Sequence, residues 1–154
     1  MSKANKIIHF FISLIVGLLN GYLIMVLLGY ISSYTFYLTK WFIDFSHQNN
    51  IPYFYFILDF LTQISYMMIT TFIIIHLTKY LLQYSLKYSK KLVIGVSTIG
   101  LIIFPFLFSI LSSIYTTIKY NYSIHSVFIS ITFLVLLIGL NRYILNRYAK
   151  SLNI

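Results

Sequence analysis

The chain reads as an all-α integral membrane protein with four transmembrane helices, and three observations predict this. Four apolar segments each exceed the roughly 20 residues that a helix needs to cross a bilayer. Mean hydropathy is +0.89, with 60% hydrophobic and only 8% charged residues, against about 25% charged in an ordinary soluble domain. The basic residues also alternate with the segments. Lys3 and Lys6 precede the first, Lys79, Lys87, Lys90 and Lys91 lie between the second and third, and Arg142, Arg147 and Lys150 follow the fourth. Only Lys40 and Lys119 fall on the other connections, so the positive-inside rule puts both termini and the middle loop on the cytoplasmic or matrix side.

With 154 residues, four spans fill the chain as a single domain and leave only short loops. A soluble catalytic domain has no room. The net charge of +9 comes from juxtamembrane residues separated by apolar spans, which favours anionic lipid headgroups over nucleic acid as the partner. The chain has no cysteine, which removes disulfides, thiolate chemistry and cysteine metal ligation. No small-x-small cleavage site follows the first apolar run, so the first segment is expected to be a retained anchor. Isoleucine, phenylalanine, tyrosine, asparagine and lysine are abundant while alanine occurs only at Ala4 and Ala149. That usage fits an AT-rich genome, and hence a bacterial cytoplasmic membrane or a mitochondrial inner membrane.

The first span is expected at about 7–31. Within it Ser13, Gly17 and Gly21 are spaced by four and Gly29 continues the face. This small-xxx-small stripe lets another helix approach to backbone contact. The expected partner is the second or fourth segment, with a subunit interface as the alternative. Asn20 lies beside the stripe near mid-membrane, where its amide needs a hydrogen bond from a neighbouring helix. After the span, Leu38, Trp41, Phe42 and Phe45 recur at i, i+3, i+4 and i+7, while Lys40 and Asp44 pair at i, i+4. This pattern predicts a short amphipathic helix at about 34–50, lying in the outer interface. With Tyr53, Phe54, Tyr55 and Phe56 it forms an aromatic belt. Tyr80, Tyr84, Tyr88, Tyr143 and Tyr148 form the inner one.

The second span is expected at about 52–78. Asp59, Gln63, Tyr66 and Thr70 fall within an arc of about 60° on one of its faces. A carboxylate in hydrocarbon costs several kcal/mol unless paired, hydrated or protonated, so Asp59 is the default functional candidate. The bland alternative places it about two turns below the outer surface, where it meets interfacial water, Lys40 or Lys119. The third span, about 92–118, carries Ser109, Ser112, Ser113, Thr116 and Thr117 on one stripe. Packing against a neighbouring helix is the expected role, and a polar translocation wall the sharper one. Pro105 in its middle predicts a kink. The fourth span is expected at about 124–145.

The histidines give no site from spacing. His9 and His76 should share the inner depth and His47 and His125 the outer one, but nothing local makes either pair converge on a metal or haem. Asp44 and Asp59 are the only side-chain carboxylates, so two-carboxylate acid–base chemistry is poorly served. No metal, no cofactor and no catalytic constellation is expected.

Phe11, Val16, Gly17 and Asn20, together with Asn141, Arg142, Tyr143, Asn146, Arg147 and Tyr148, form a pattern that resembles the GtrA-like family of lipid-linked sugar translocases. The resemblance covers the start of the first helix and the end of the chain. The Asn-Arg element expected after the second helix is replaced by the stretch from Leu77 to Tyr88. Packing features outnumber chemical ones. The expectation is therefore a non-catalytic membrane subunit that contacts other membrane subunits and anionic lipids. The alternative is a small oligomeric channel or transporter using the polar face of the second helix, which the resemblance would make a lipid-linked sugar translocator.

Overall fold

The computed structural model describes residues 3–51, 54–120 and 125–154, with side chains for all of these except 32–36, 55–56, 59, 109–110, 112–120, 125–127 and 129–130. Four helices result: α1 (Lys3–Gln48), α2 (Phe54–Tyr88), α3 (Lys90–Tyr120) and α4 (His125–Ser151). Lys3–Ile31, Phe60–Tyr88 and Lys90–Phe108 are each long and apolar enough to cross a membrane. Large apolar side chains such as Ile15, Leu19, Ile69, Ile73, Ile99 and Phe108 face outward along these stretches, which supports a multi-pass membrane protein. In water such a surface would aggregate; in lipid it is the solvated one.

The expected interfacial helix is not separate. Residues 34–48 continue α1 without interruption, because no glycine or proline lies between Gly29 and Pro52 to end it. The stop comes from Asn50, whose φ of 52° is left-handed. Ile51 N–H donates to the Ser46 carbonyl at 3.1 Å and Asn50 N–H to the His47 carbonyl at 3.4 Å. These two bonds form a Schellman cap, with asparagine at the position usually held by glycine. The same device ends α4: Asn153 has φ 56°, Ile154 N–H donates to Ala149 O at 3.2 Å and Asn153 N–H to Lys150 O at 3.1 Å. Between α2 and α3 only Ser89 intervenes. Its N–H bonds back to Ser85 O, and its own carbonyl accepts from Val93 N–H.

Each of α1 and α4 packs against both α2 and α3, so α1 and α4 stand at opposite corners. The α1–α3 seam is the tightest. Gly17 faces Gly100, so that a Cβ added to either would lie 3.1 Å from the other's Cα. A Cβ on Gly21 would meet the Leu101 carbonyl oxygen at 2.6 Å, and one on Gly100 the Leu14 carbonyl oxygen at 2.8 Å. The stripe on the first helix therefore packs on α3, not on α2 or α4. Its complement is the single glycine at 100, flanked by Ser97.

Two apolar clusters stack along the bundle. One joins Val16 of α1, Leu82 and Leu86 of α2, Val93 and Ile94 of α3, and Leu145 and Ala149 of α4. The other joins Ile24, Ile74 and Ile75, Leu101, and Phe133, Leu137 and Ile144. These pairings make α1 parallel to α3 and antiparallel to α2. With Gly17 beside Gly100, the end of α3 comes level with about residue 37 of α1, so the last eleven or so residues of α1 extend roughly 15 Å further at 1.5 Å per residue. Trp41, Phe45 and Phe54 stack there, with centroids 5.6 and 6.1 Å apart.

Gly17→Ala should destabilise the fold by about 1–3 kcal/mol, because the new methyl meets the rigid Ser97 carbonyl. Gly29→Ala, where a Cβ meets nothing within 4 Å, should be neutral or stabilising. Thermal unfolding in one detergent compares them, and equal stability of the two variants would mean that the seam is not a close contact.

Candidate functional site

Between the two apolar clusters every helix contributes a polar side chain that bonds across to a neighbouring helix. Asn20 lies between Val16 and Ile24, Thr78 between Ile75 and Leu82, Thr98 between Ile94 and Leu101, and Asn141 between Leu137 and Leu145. They pair across the helices. Asn20 Nδ2 donates to Thr78 Oγ1 at 2.8 Å, and Asn141 Nδ2 donates to Thr98 Oγ1 at 2.5 Å. Each threonine passes its own proton to the carbonyl one turn earlier: Thr78 to Ile74 O at 3.1 Å and Thr98 to Ile94 O at 2.6 Å. A hydroxyl has one proton to give and lone pairs to accept with, so each threonine links an asparagine to its own backbone. The layer ties α1 to α2 and α3 to α4 at one depth.

Two polar atoms are left over. Asn20 Oδ1 and Thr71 Oγ1 are buried and find no partner among the described residues. Thr71 lies two turns from Thr78 on the inward face of α2.

A second cluster lies toward the lysine-rich end. His9 is buried, and its Nδ1 is 2.9 Å from the buried Ser85 Oγ. The imidazole stacks on Tyr88 at 4.5 Å and leans on Tyr84 at 5.6 Å, and the two phenol oxygens lie 2.8 Å apart. Ser13 Oγ donates to the His9 carbonyl at 2.6 Å. The His9 ring and Ser85 hold α1 to α2, while Ser13 bonds within α1, so this is a helix lock and not an exposed nucleophile with its base. His76 instead packs on Phe72 at 4.4 Å, so the two inner histidines belong to different clusters. Among the described residues no group of three histidines or carboxylates could hold a metal.

At the α2–α4 seam the Lys79 ammonium lies 4.9 Å from the Tyr80 ring centroid and 5.1 Å from that of Tyr148. The two rings meet edge to face at 5.6 Å.

The residues singled out from sequence separate as follows. Ser13, Gly17 and Gly21 lie buried on the α1 inner face. Thr70 is buried, Gln63 half-buried and Tyr66 exposed. The Asp59, Ser109, Ser112 and Ser113 side chains lie outside the described residues. Pro105 is buried inside α3, which continues through it. Sequence reasoning missed Gly100 as the counterpart of Gly17, and it missed the pairs Thr98–Asn141 and His9–Ser85. The available signal was that each is a small or polar residue on an apolar helix face. Which helices would meet was not written locally.

No protein-family model, curated protein or solved structure matches this chain.

Thr78→Val removes the one acceptor that the Asn20 amide has among the described residues and should cost about 0.6–1.7 kcal/mol, the range for hydrogen bonds between membrane helices. Thr71→Val removes a hydroxyl without a partner and should be neutral or stabilising. Unfolding in a denaturing detergent titration separates the two, and the opposite order would show that Thr71 holds the bundle and Thr78 does not.

Proposed function

We propose that this chain is a non-catalytic integral membrane subunit of a larger membrane assembly. All four helices span the bilayer, with both termini and the α2–α3 turn on the cytoplasmic or matrix side. The membrane is the bacterial cytoplasmic or the mitochondrial inner one. The observation that carries the reading is the closed bundle axis: an apolar cluster, a hydrogen-bonded Asn–Thr layer and a second apolar cluster follow one another across all four helices. The described polar groups of that layer are used mainly to fasten helices to one another. What the chain offers outward is apolar and aromatic surface, including Trp41 near the end of α1. Such a body serves as a packing partner for other membrane subunits, with anionic lipids around its basic end.

A second reading is a small oligomeric channel or transporter using the polar face of α2 to which Asp59 belongs, and the Asn20 Oδ1 acceptor left over in the polar layer favours it as a group available to a polar solute. The resemblance to GtrA-like translocases includes both asparagines of that layer and would make the solute a lipid-linked sugar.

The test is the native size of the chain after mild-detergent extraction, with mass spectrometry of what travels with it. The subunit reading expects a hetero-complex well above 18.1 kDa, unchanged in size by Asp59→Asn. A lone monomer or homo-oligomer overturns it. If liposome flux also disappears in Asp59→Asn, the transporter reading takes its place.

A further inference from the structure

The chain separates its charges along its length. Both side-chain carboxylates, Asp44 and Asp59, belong to the α1–α2 end, whereas nine of the eleven basic residues lie toward the other. Lys90 reaches the Ile154 oxygen at 3.4 Å. No side-chain carboxylate of this chain lies near the remaining cations of that end.

Lys79 is one of two half-exposed lysines among the described residues, and the other, Lys90, is the one that reaches Ile154. Lys79 follows Thr78 of the polar layer, at a depth where Ile15 and Leu19 of α1 and Ile99 of α3 point outward, each more than half exposed. The far side of the bundle is thus bare hydrocarbon at the rung where the α2–α4 side carries an ammonium. Lys79 itself is only half-exposed and is held over the Tyr80 and Tyr148 rings. Helical rotation of 100° per residue places Gln83 one turn along from Lys79, and Arg147 next to Ile144 and Tyr148, which face α2. Arg147 is exposed. Lys79, Tyr80 and Tyr148 thus meet at one lateral seam, and helical rotation places Gln83 and Arg147 on its flanks.

We propose that the seam formed by Lys79, Tyr80, Gln83, Arg147 and Tyr148 binds the phosphate headgroup of an anionic phospholipid of the inner leaflet. The proposal rests on the membrane orientation given above. A charge at this depth requires a counter-ion, and this chain supplies no side-chain carboxylate there. A lipid phosphate arrives laterally with its acyl chains already against the apolar flanks. Lys79 then contributes a point charge and Arg147 a bidentate fork. The rings shield the pair from water, which strengthens the attraction.

The experiment is native mass spectrometry of the purified full-length chain, released from detergent micelles doped with phosphatidylglycerol or phosphatidylcholine. Selective, one-to-one retention of phosphatidylglycerol is expected. Lys79→Gln with Arg147→Gln should weaken it about twenty-five-fold, roughly fivefold for each charge. Lys3→Gln with Lys6→Gln removes the same charge elsewhere and should leave the selectivity intact, and Lys79→Arg should preserve it. Should the Lys79 variant misfold, Arg147→Gln alone, at an exposed position, carries the test.

Equal retention of both lipids, or equal loss in the Lys3/Lys6 control, overturns the proposal. Displacement of phosphatidylglycerol by millimolar inorganic phosphate would assign the seam to free phosphate and overturn the lipid source. Because the measurement uses the isolated chain, it can fail while a hetero-complex stands, and it can succeed if no partner subunit exists.

Discussion

The contact on which the arrangement depends is the approach of the α1 and α3 backbones at Gly17, Gly21 and Gly100. Between helices in lipid there is little hydrophobic driving force, since the acyl chains are as apolar as the side chains they would displace. Association then relies on dispersion and on polar contacts, and both fall off steeply with distance. Removing three Cβ atoms from one seam brings two helices together closely enough for main-chain atoms to touch. Once α1 and α3 are fixed as a parallel pair, the single-residue turn at Ser89 sets where α2 ends relative to the start of α3. The antiparallel course of α2 along α1 follows.

The polar layer fixes axial register in a way the apolar clusters cannot. Leucine and isoleucine side chains can slide past one another at small cost, whereas displacing Asn20 from Thr78, or Asn141 from Thr98, strands a buried amide. Two such pairs at one depth, on opposite sides of the bundle, hold α1 to α2 and α4 to α3 simultaneously. The His9–Ser85 bond, toward the lysine-rich end, resists rotation of the same α1–α2 pair about that layer.

Much of the fold was legible in the sequence because its signals are one-dimensional. Hydropathy and length marked the long apolar helices, and the four-residue spacing of Ser13, Gly17 and Gly21 marked a close-approach face. Asn20 was readable as an amide in need of a partner on another helix, and Thr78 is that partner. The extent of α1 was misread because an amphipathic stretch after an apolar one looks like a second element, although a helix with no breaker simply continues. The stop at Asn50 depends on an asparagine adopting a left-handed conformation, which the adjacent Asn49 could have suggested equally well.

By itself the sequence determined the apolar, helical character of the chain and the segregation of its charges, because composition and periodicity are properties of each segment alone. The tertiary structure decided which faces meet. That Gly17 sits on Gly100, that Asn141 bonds to Thr98, and that Lys79 lies over Tyr148 are relations between distant segments. Several helices offered a small or polar face of comparable quality, and only the packing of all four at once chose among them.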